Sequence, residues 1–188
     1  MIVEGELYHR TRLEMREHGV FLLPEEPLAN GCVRGMSVAE NMAIRSFDQS
    51  ESGEARVFIN RASMRNAAIR LIKEFSVKTR GPDARIETLS GGNIQRTVLA
   101  RELSGDVRLL IAQNPCFGLD LNATAEIRNR IMAARNDCAA VLLISEDLDE
   151  IMELSDRILV MFEGRIVYET SREAADIQEI GRHMASHA

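Results

Sequence analysis

A serine followed by two glycines opens a helix-like run in the stretch LSGGNIQR, residues 89–96. A helix N-terminus presents unpaired backbone N–H groups and the positive end of the helix dipole, and glycine lets the backbone approach a ligand closely. Residues 89–93, called the glycine turn below, could therefore bind a phosphate group. Because most such turns are only turns, the stretch alone is weak evidence for a phosphate site.

Two polar strand ends follow the glycine turn and strengthen the phosphate interpretation. The run LLIAQNPCFGLD, residues 109–120, is an apolar strand that ends in two amides, a proline and a Gly-Leu-Asp loop. A second apolar strand, VLLI, ends in the acidic segment SEDLDEI, residues 145–151. A first helical turn rich in carboxylates, favoured by the helix dipole, explains these acids more simply than a metal site does.

The composition excludes several classes of protein. The 188 residues are 45% hydrophobic and carry a formal net charge of −6, which argues against nucleic acid as a partner. The three cysteines lie far apart, so neither a disulfide framework nor a zinc site is expected. No apolar run approaches the roughly 18 residues of a membrane-spanning helix, and the N-terminus does not resemble an export signal. We expect a globular, cytosolic protein.

Short apolar runs alternate with helical patterns in the second half of the chain. The runs VRLLIA, AAVLLI and RILVMF, separated by helices, predict parallel strands with crossover connections, covered on both faces. The piece ILVMFEGRIVYE predicts a hairpin with Glu163, Gly164 and Arg165 at its turn. The tail from Ser171 onward is expected to be helical and polar.

The first half predicts one buried strand and mainly helices. VFLL is apolar enough for the strand, PEEPLANG is expected to be a loop, and residues 48–54 a polar break. Ser37 and Glu40 have the spacing of a capping box at the start of the helix SVAENMAIRSF. Residues 55–77 predict an amphipathic helix. Its apolar face consists of Met64, Ala67, Ala68, Leu71, Ile72 and Phe75.

The order and spacing of these motifs resemble the C-terminal two-thirds of an ATP-binding cassette (ABC) ATPase domain. LSGGN resembles the signature motif, LLIAQN the Walker B strand, GLD the D-loop and ISEDLDE the switch region. Upstream, FLLPEEPLANGCVRGMSVAENMAIRSF resembles the Q-loop and the start of the helical subdomain. In detail, GGN in place of GGQ, MSVAEN and SEDLDEIMELSDRILVMFEGRIV resemble the second cassette of tandem ATPases that drive import of simple sugars or nucleosides.

The resemblance implies an α/β fold, namely a partial P-loop NTPase (ABC ATPase) fold with a parallel sheet core and an inserted helical subdomain. The part that carries the Walker A loop is lacking. Residues 1–34 would be a remnant of the N-terminal β region with a Q-loop-like segment, and residues 35–88 the helical subdomain. Residues 89–170 would hold the signature motif and the RecA-like core, and residues 171–188 a C-terminal helical tail.

The resemblance also implies that no catalytic residue is intact. The family's phosphate loop, GxxxxGK[ST], does not occur in this sequence, so tight ATP binding by this chain alone is expected to fail. Gln113 stands at the position of the magnesium-orienting aspartate, and Asn114 at that of the water-polarising glutamate, where an amide cannot accept a proton. Glu146 stands at the switch histidine, and Glu25 at the Q-loop glutamine.

The glycine turn keeps its function in this resemblance, because ABC dimers hold nucleotide between the phosphate loop of one cassette and the signature motif of the other. Four residues would then clamp the γ-phosphate of ATP carried by a partner: Ser90, Gly91, Gly92 and Asn93. Gln95 would support the loop by hydrogen bonding, and Asp120, in the D-loop, would cross the dimer seam. ATP and Mg²⁺ would bind only in this composite site.

We expect the chain to be an ATP-binding component of an importer for simple sugars or nucleosides, truncated at its N-terminus and inactive as an ATPase by itself. Its partners would be a cassette with a Walker A loop, a membrane permease and, indirectly, a solute-binding protein. It would lie on the cytoplasmic face of the membrane. A noncatalytic ABC-domain fragment or regulatory binder stays open as an alternative. ABC proteins of DNA repair or chromosome structure are disfavoured because those retain the Walker B carboxylates.

Overall fold

The computed structural model describes residues 2–3, 6–7, 9, 11–49 and 58–185. Seven strands and eight α-helices are assigned in this part of the chain: β1 (Ile2–Val3), β2 (Glu6–Leu7), α1 (Arg12–Glu17), β3 (Val20–Leu23), α2 (Pro27–Asn30), α3 (Val38–Met42), α4 (Arg61–Glu74), α5 (Gly91–Glu102), β4 (Leu109–Gln113), α6 (Leu121–Asn136), β5 (Ala140–Ile144), α7 (Leu148–Leu154), β6 (Arg157–Phe162), β7 (Arg165–Ser171) and α8 (Ile177–Ala185). The chain divides into two compact units, Met1–Leu142 and Leu143–Ala188.

The central sheet has the strand order β3-β4-β5. Strands β3 and β4 are parallel, with Val20 opposite Leu109 and Leu23 opposite Ala112. The predicted strands in VFLL, VRLLIA and AAVLLI are thus confirmed, and the α/β class with them. Because the carboxyl ends of parallel strands meet at one edge of a sheet, the residues that follow β3 and β4 are neighbours.

The predicted parallel role of RILVMF is wrong. This run is β6, which pairs antiparallel with β7 in a separate two-stranded sheet. Glu163 and Gly164 have φ values of 46° and 77°, and this pair of left-handed residues makes a two-residue turn that matches the strand twist. Arg165, predicted at the turn, already pairs with Phe162 in the ladder.

The prediction that both sheet faces are covered is also wrong for β5. Leu142 and Ile144 are each 48% exposed. Strand β5 lies at one edge of the sheet, as β3 does at the other, and the described residues leave the face that carries Leu142 and Ile144 partly open. On β3 and β4, Leu23, Leu110 and Ala112 are completely buried, whereas Leu22 is 38% exposed.

Two sequence predictions about helices are confirmed, namely the capping box of α3 and the apolar face of α4. Ser37 and Glu40 form the predicted capping box, in which each side chain bonds the backbone of the other residue. Helix α4 is shorter than residues 55–77, of which residues 55–57 lie outside the described part. Its predicted apolar face is confirmed, since the six residues named above are buried or half-buried while Ile69 is exposed.

Three smaller predictions need correction. The expected loop PEEPLANG contains α2, which starts at Pro27, where proline loses no helical hydrogen bond. Helix α3 ends at Met42 and gives way to turns, so it is shorter than expected. The tail is helical as predicted but not wholly polar, because Ile180 packs on Ile158 and Val160. Of the predicted polar break, residues 50–54 lie outside the described part, as do residues 186–188 of the tail.

A buried polar network joins the end of α5 to the segment between β3 and α3. Glu102 is 1% exposed and binds the Arg45 Nη2 at 2.6 Å and the Arg101 Nε at 2.6 Å. The Arg101 Nη1 donates to the carbonyl oxygen of Gly31 at 2.7 Å. Asn41 is also 1% exposed and donates to the carbonyl oxygens of Val33, Met36 and Ser37. These buried ion pairs and hydrogen bonds hold the connection that leads from the sheet into α3.

The cysteines differ in environment, which gives a first testable prediction. Burial raises the pKa of the Cys32 thiol, whereas Cys138 is exposed. Because the thiolate is the reactive form, iodoacetamide near neutral pH should modify Cys138 at least about tenfold faster than Cys32. Mass spectrometry of the peptides measures both rates. Denaturant should remove the difference, and equal rates in the folded protein would contradict the burial of Cys32.

No helix in the described ranges combines the length and the apolar character that crossing a membrane requires.

Candidate functional site

The glycine turn leads directly into α5, with Ser90 as the N-cap residue. The side chains of Thr11, Ser37 and Asp120 accept a hydrogen bond from the first turn of their own helices, but that of Ser90 does not. The Ser90 Oγ instead accepts a hydrogen bond from the Asn93 Nδ2 at 2.8 Å. The exposed hydroxyl therefore keeps its proton for donation to an outside acceptor.

Asn93 lies beneath the glycine turn and is 8% exposed. Its Oδ1 accepts from the backbone N–H of Lys78 at 2.7 Å, and its Nδ2 holds Ser90. Its backbone carbonyl accepts from the Thr97 hydroxyl at 2.8 Å. The sequence predicts Asn93 as a phosphate ligand, and these contacts favour a positioning role for it.

The two glycines leave room in front of the helix. A Cβ placed on Gly91 would have no heavy atom within 4 Å. A Cβ on Gly92 would meet Leu119 at 3.5 Å and Ala123 at 3.8 Å. The first-turn N–H groups of α5 are therefore approachable from the side of Gly91, as an anion at a helix N-terminus requires.

Gln95 connects α5 to the turn that follows β4. The side chain is 3% exposed, and its Nε2 donates to the carbonyl oxygen of Pro115 at 2.8 Å. The supporting hydrogen bond predicted for Gln95 therefore reaches residue 115 and not the glycine turn. It ties the first turn of α5 to the end of the neighbouring strand.

Three of the predicted site residues meet at the carboxyl edge of the sheet. The Gln113 Nε2 lies 3.3 Å from the Glu25 Oε2, because β3 and β4 run parallel and end side by side. Asn114 follows with a φ of 41°, a conformation that asparagine tolerates better than most residues. This edge presents two amides and one carboxylate, and neither amide can act as a general base.

Asp120 is exposed and caps α6, where its Oδ1 accepts from the backbone N–H of Ala123 at 2.9 Å. Two large apolar side chains flank it: Phe117 is 76% exposed and Leu121 is 89% exposed. The sequence predicts that Asp120 crosses a dimer seam, and exposed apolar neighbours are compatible with a contact surface there.

Glu146 lies in the second unit, immediately before α7, and is exposed. Asp147 caps that helix by accepting from the backbone N–H groups of Asp149 and Glu150. Helix capping thus accounts for part of the acidic segment. In the part of the chain that the structure describes, no group of three or more His, Cys, Asp or Glu residues is placed to hold a metal ion.

The positioning role of Asn93 gives a second prediction. Asn93→Ala removes the two side-chain hydrogen bonds to Lys78 and Ser90, so the free energy of unfolding should fall by about 1–3 kcal/mol. Urea denaturation measures the change. Asn66→Ala, on the exposed face of α4, is the matched control and should change the free energy by less than about 0.5 kcal/mol. Equal effects of the two substitutions would contradict the assignment.

The known proteins that resemble this chain in sequence are import ATP-binding proteins. The glucose import ATP-binding protein TsgD13 of Haloferax volcanii is 42% identical over 172 residues, 89% of this chain and 31% of the relative. The ribose import ATP-binding protein RbsA of Rhodopirellula baltica is 37% identical, over 91% of this chain and 33% of the relative. The guanosine import ATP-binding protein NupO of Bacillus subtilis is 33% identical, over 96% and 35%. The chain spans about a third of the length of these relatives.

Solved structures give the same fold. A dimeric ATP-binding cassette in a post-hydrolysis state with ADP and Pi matches with a TM-score of 0.72 at 17% identity, covering 91% of this chain and 72% of that one. The protein cbiO1 from Clostridium perfringens, part of the ABC transporter complex cbiONQ, matches with a TM-score of 0.66 at 16% identity, covering 92% of this chain and 65% of that one. No protein-family model matches the sequence.

Proposed function

We propose that the chain works as an ATP-binding cassette of the ABC type, like the sugar and nucleoside import ATP-binding proteins that it resembles, and that its glycine turn clamps ATP held by a second cassette. In this proposal the Ser90 hydroxyl and the first-turn N–H groups of α5 bind the γ-phosphate. The partner cassette supplies the phosphate loop that anchors the nucleotide.

One observation carries the proposal: the Ser90 side chain does not cap its own helix, so it leaves the first-turn N–H groups of α5 to an outside anion. The Asn93 Nδ2 donates to the Ser90 Oγ at 2.8 Å, so the hydroxyl proton of Ser90 remains available to an acceptor in front of the helix. The open side of Gly91 gives that acceptor access. A terminal phosphate has the negative charge and the acceptor oxygens that this arrangement binds best.

The residues at the carboxyl edge of this chain's sheet do not favour hydrolysis by this chain, which leaves clamping as its proposed role. ATP would arrive with Mg²⁺, a hard cation that prefers charged oxygen ligands. Gln113, at the end of β4, offers an amide that already contacts Glu25 at 3.3 Å. We therefore assign the magnesium ligands and the general base of the composite site to the partner cassette.

In the cell, the proposed role is ATP-driven import of a simple sugar or nucleoside, as in the named relatives. The helical segment, residues 35–88, would contact a permease at the cytoplasmic face of the membrane. A solute-binding protein would deliver the cargo. The alternative is a noncatalytic regulatory binder, which the amides Gln113 and Asn114 favour. Co-purification of the chain with a permease would support the transport role, and its absence the alternative.

A tester cassette provides the experiment. It is an ABC cassette with an intact phosphate loop whose own signature serine is replaced by arginine, so that two copies cannot complete a site together. A flexible linker to this chain keeps the two at an effective concentration of about a millimolar. ATP turnover should rise well above that of the tester alone. Turnover that stays at the level of the tester alone would contradict the proposal.

A further inference from the structure

An open groove of about 780 Å³ adjoins the glycine turn. Ser90 and Asn93 belong to its lining, as do four basic residues: Arg65, Lys78, Arg80 and Arg85. Because the formal net charge of the chain is −6, such a cluster of basic side chains stands out. We call this the basic groove.

Two of the four cations are neutralised by carboxylates. The Arg65 Nε lies 3.0 Å from the Asp83 Oδ2, and the Arg85 Nε lies 3.0 Å from the Glu87 Oε1. Lys78 and Arg80 are exposed, and neither forms an ion pair with any residue that the structure describes. The uncompensated positive charge of the groove therefore belongs to these two side chains.

Lys78 is fixed relative to the glycine turn. Its backbone N–H donates to the Asn93 Oδ1 at 2.7 Å, and the same Asn93 side chain holds Ser90. The loop that follows is anchored on α3, where the backbone N–H groups of Val38 and Ala39 donate to the carbonyl oxygens of Ala84 and Pro82 at 2.8 and 2.9 Å. The backbone that carries Lys78 and Arg80 is thus held between the glycine turn and α3.

We propose that Lys78 and Arg80 bind the phosphate chain of the nucleotide that Ser90 clamps, so that the signature side of the composite site contributes cations of its own. This inference rests on the proposed function. An ammonium group is a compact point charge that suits phosphate, and a guanidinium offers paired donors to phosphate oxygens. Ser90 lines the same groove as these two side chains, so an anion bound at the Ser90 hydroxyl lies in a space that they also line.

Single substitutions test the assignment. The readout is the Kd for ATP-dependent association, without a linker, of this chain with a tester cassette whose catalytic glutamate is also replaced by glutamine. Lys78→Ala and Arg80→Ala should each weaken association about fivefold to tenfold and reduce its salt dependence. Lys73→Ala removes the other lysine of the chain, exposed on α4, and should change the Kd by less than about twofold.

The outcomes separate this inference from the proposed function. If Ser90→Arg abolishes association while Lys78→Ala and Arg80→Ala bind like the unmodified chain, the cation assignment is wrong and the clamp stands. If Ser90→Arg has no effect, the clamp itself fails. Polyglutamate is included as a competitor, because an acidic peptide could also enter the basic groove. Should the two substitutions weaken polyglutamate binding but not nucleotide-dependent association, the groove receives an acidic segment and the inference is overturned.

Discussion

Glu102→Gln will lower the free energy of unfolding by about 3–5 kcal/mol, although Glu102 lies at the C-terminal end of α5, away from the glycine turn. The carboxylate is 1% exposed, and its oxygens lie 2.6 Å from both Arg45 and Arg101. Its Oε2 also accepts from the backbone N–H of Leu22 at 3.2 Å. Removing the one negative charge leaves the guanidinium groups of Arg45 and Arg101 without the carboxylate that both contact, and Arg101 is buried.

The glutamine keeps the volume of the side chain, so the expected loss comes from charge and not from a cavity. Urea denaturation of the purified chain measures it. Glu87→Gln is the matched control, because Glu87 pairs with Arg85 at 3.0 Å on the surface. That substitution should cost at most about 1 kcal/mol. Equal losses for the two variants would show that Glu102 is not the centre of a buried network.

Ser90→Arg will reduce the ATP turnover of the linked tester cassette by about 10² to 10³-fold. The substitution removes the hydroxyl donor and places a long side chain in the open space in front of Gly91. A clamp that contributes to the hydrolytic site through preorganised donors is sensitive to both changes. Ser90→Ala, which removes only the donor, should give a smaller reduction.

Ala62→Arg is the control for the added side chain, because it places the same group on the exposed first turn of α4. Its turnover should match that of the unmodified chain within about twofold. If Ser90→Arg keeps full turnover while the variant stays folded, the glycine turn does not take part in the site.

Features that depend on neighbours in sequence could be predicted. The Ser37–Glu40 capping box follows from the spacing of two residues, and the buried face of α4 follows from its three- and four-residue steps. The start of α5 at the glycine turn follows from Ser90 and the two glycines that follow it. In each case, residues within one helix or directly before it carry the whole signal.

Features that depend on distant contacts could not be predicted. Arg101 and Glu102 look like solvated charges, and only the packing of α5 against residues 20–45 makes them a buried pair. The sequence signal for this burial is the apolar run Val98–Ala100 directly before Arg101, and all three of its residues are buried. RILVMF has the composition of a buried parallel strand, but its two-residue turn commits it to a hairpin instead.

The candidate site shows the same difference between local signals, which can be predicted, and distant contacts, which cannot. The sequence points to Ser90 because its neighbours define a motif, whereas Lys78 lies in no glycine-rich loop and its sequence context carries no such signal. Its relation to the glycine turn depends on a hydrogen bond between residues fifteen positions apart. The Gln113–Glu25 contact likewise exists because β3 and β4 are parallel partners, which only the fold determines.

The central claim is that the N-terminus of α5 recognises the γ-phosphate of a nucleotide bound to another polypeptide. Its most direct test is the Kd for association of the unmodified chain with the hydrolysis-deficient tester cassette, measured with ATP and with ADP by sedimentation. We predict association with ATP and at least about tenfold weaker association with ADP, because only ATP carries the terminal phosphate that Ser90 binds. Equal Kd values with the two nucleotides would contradict the account.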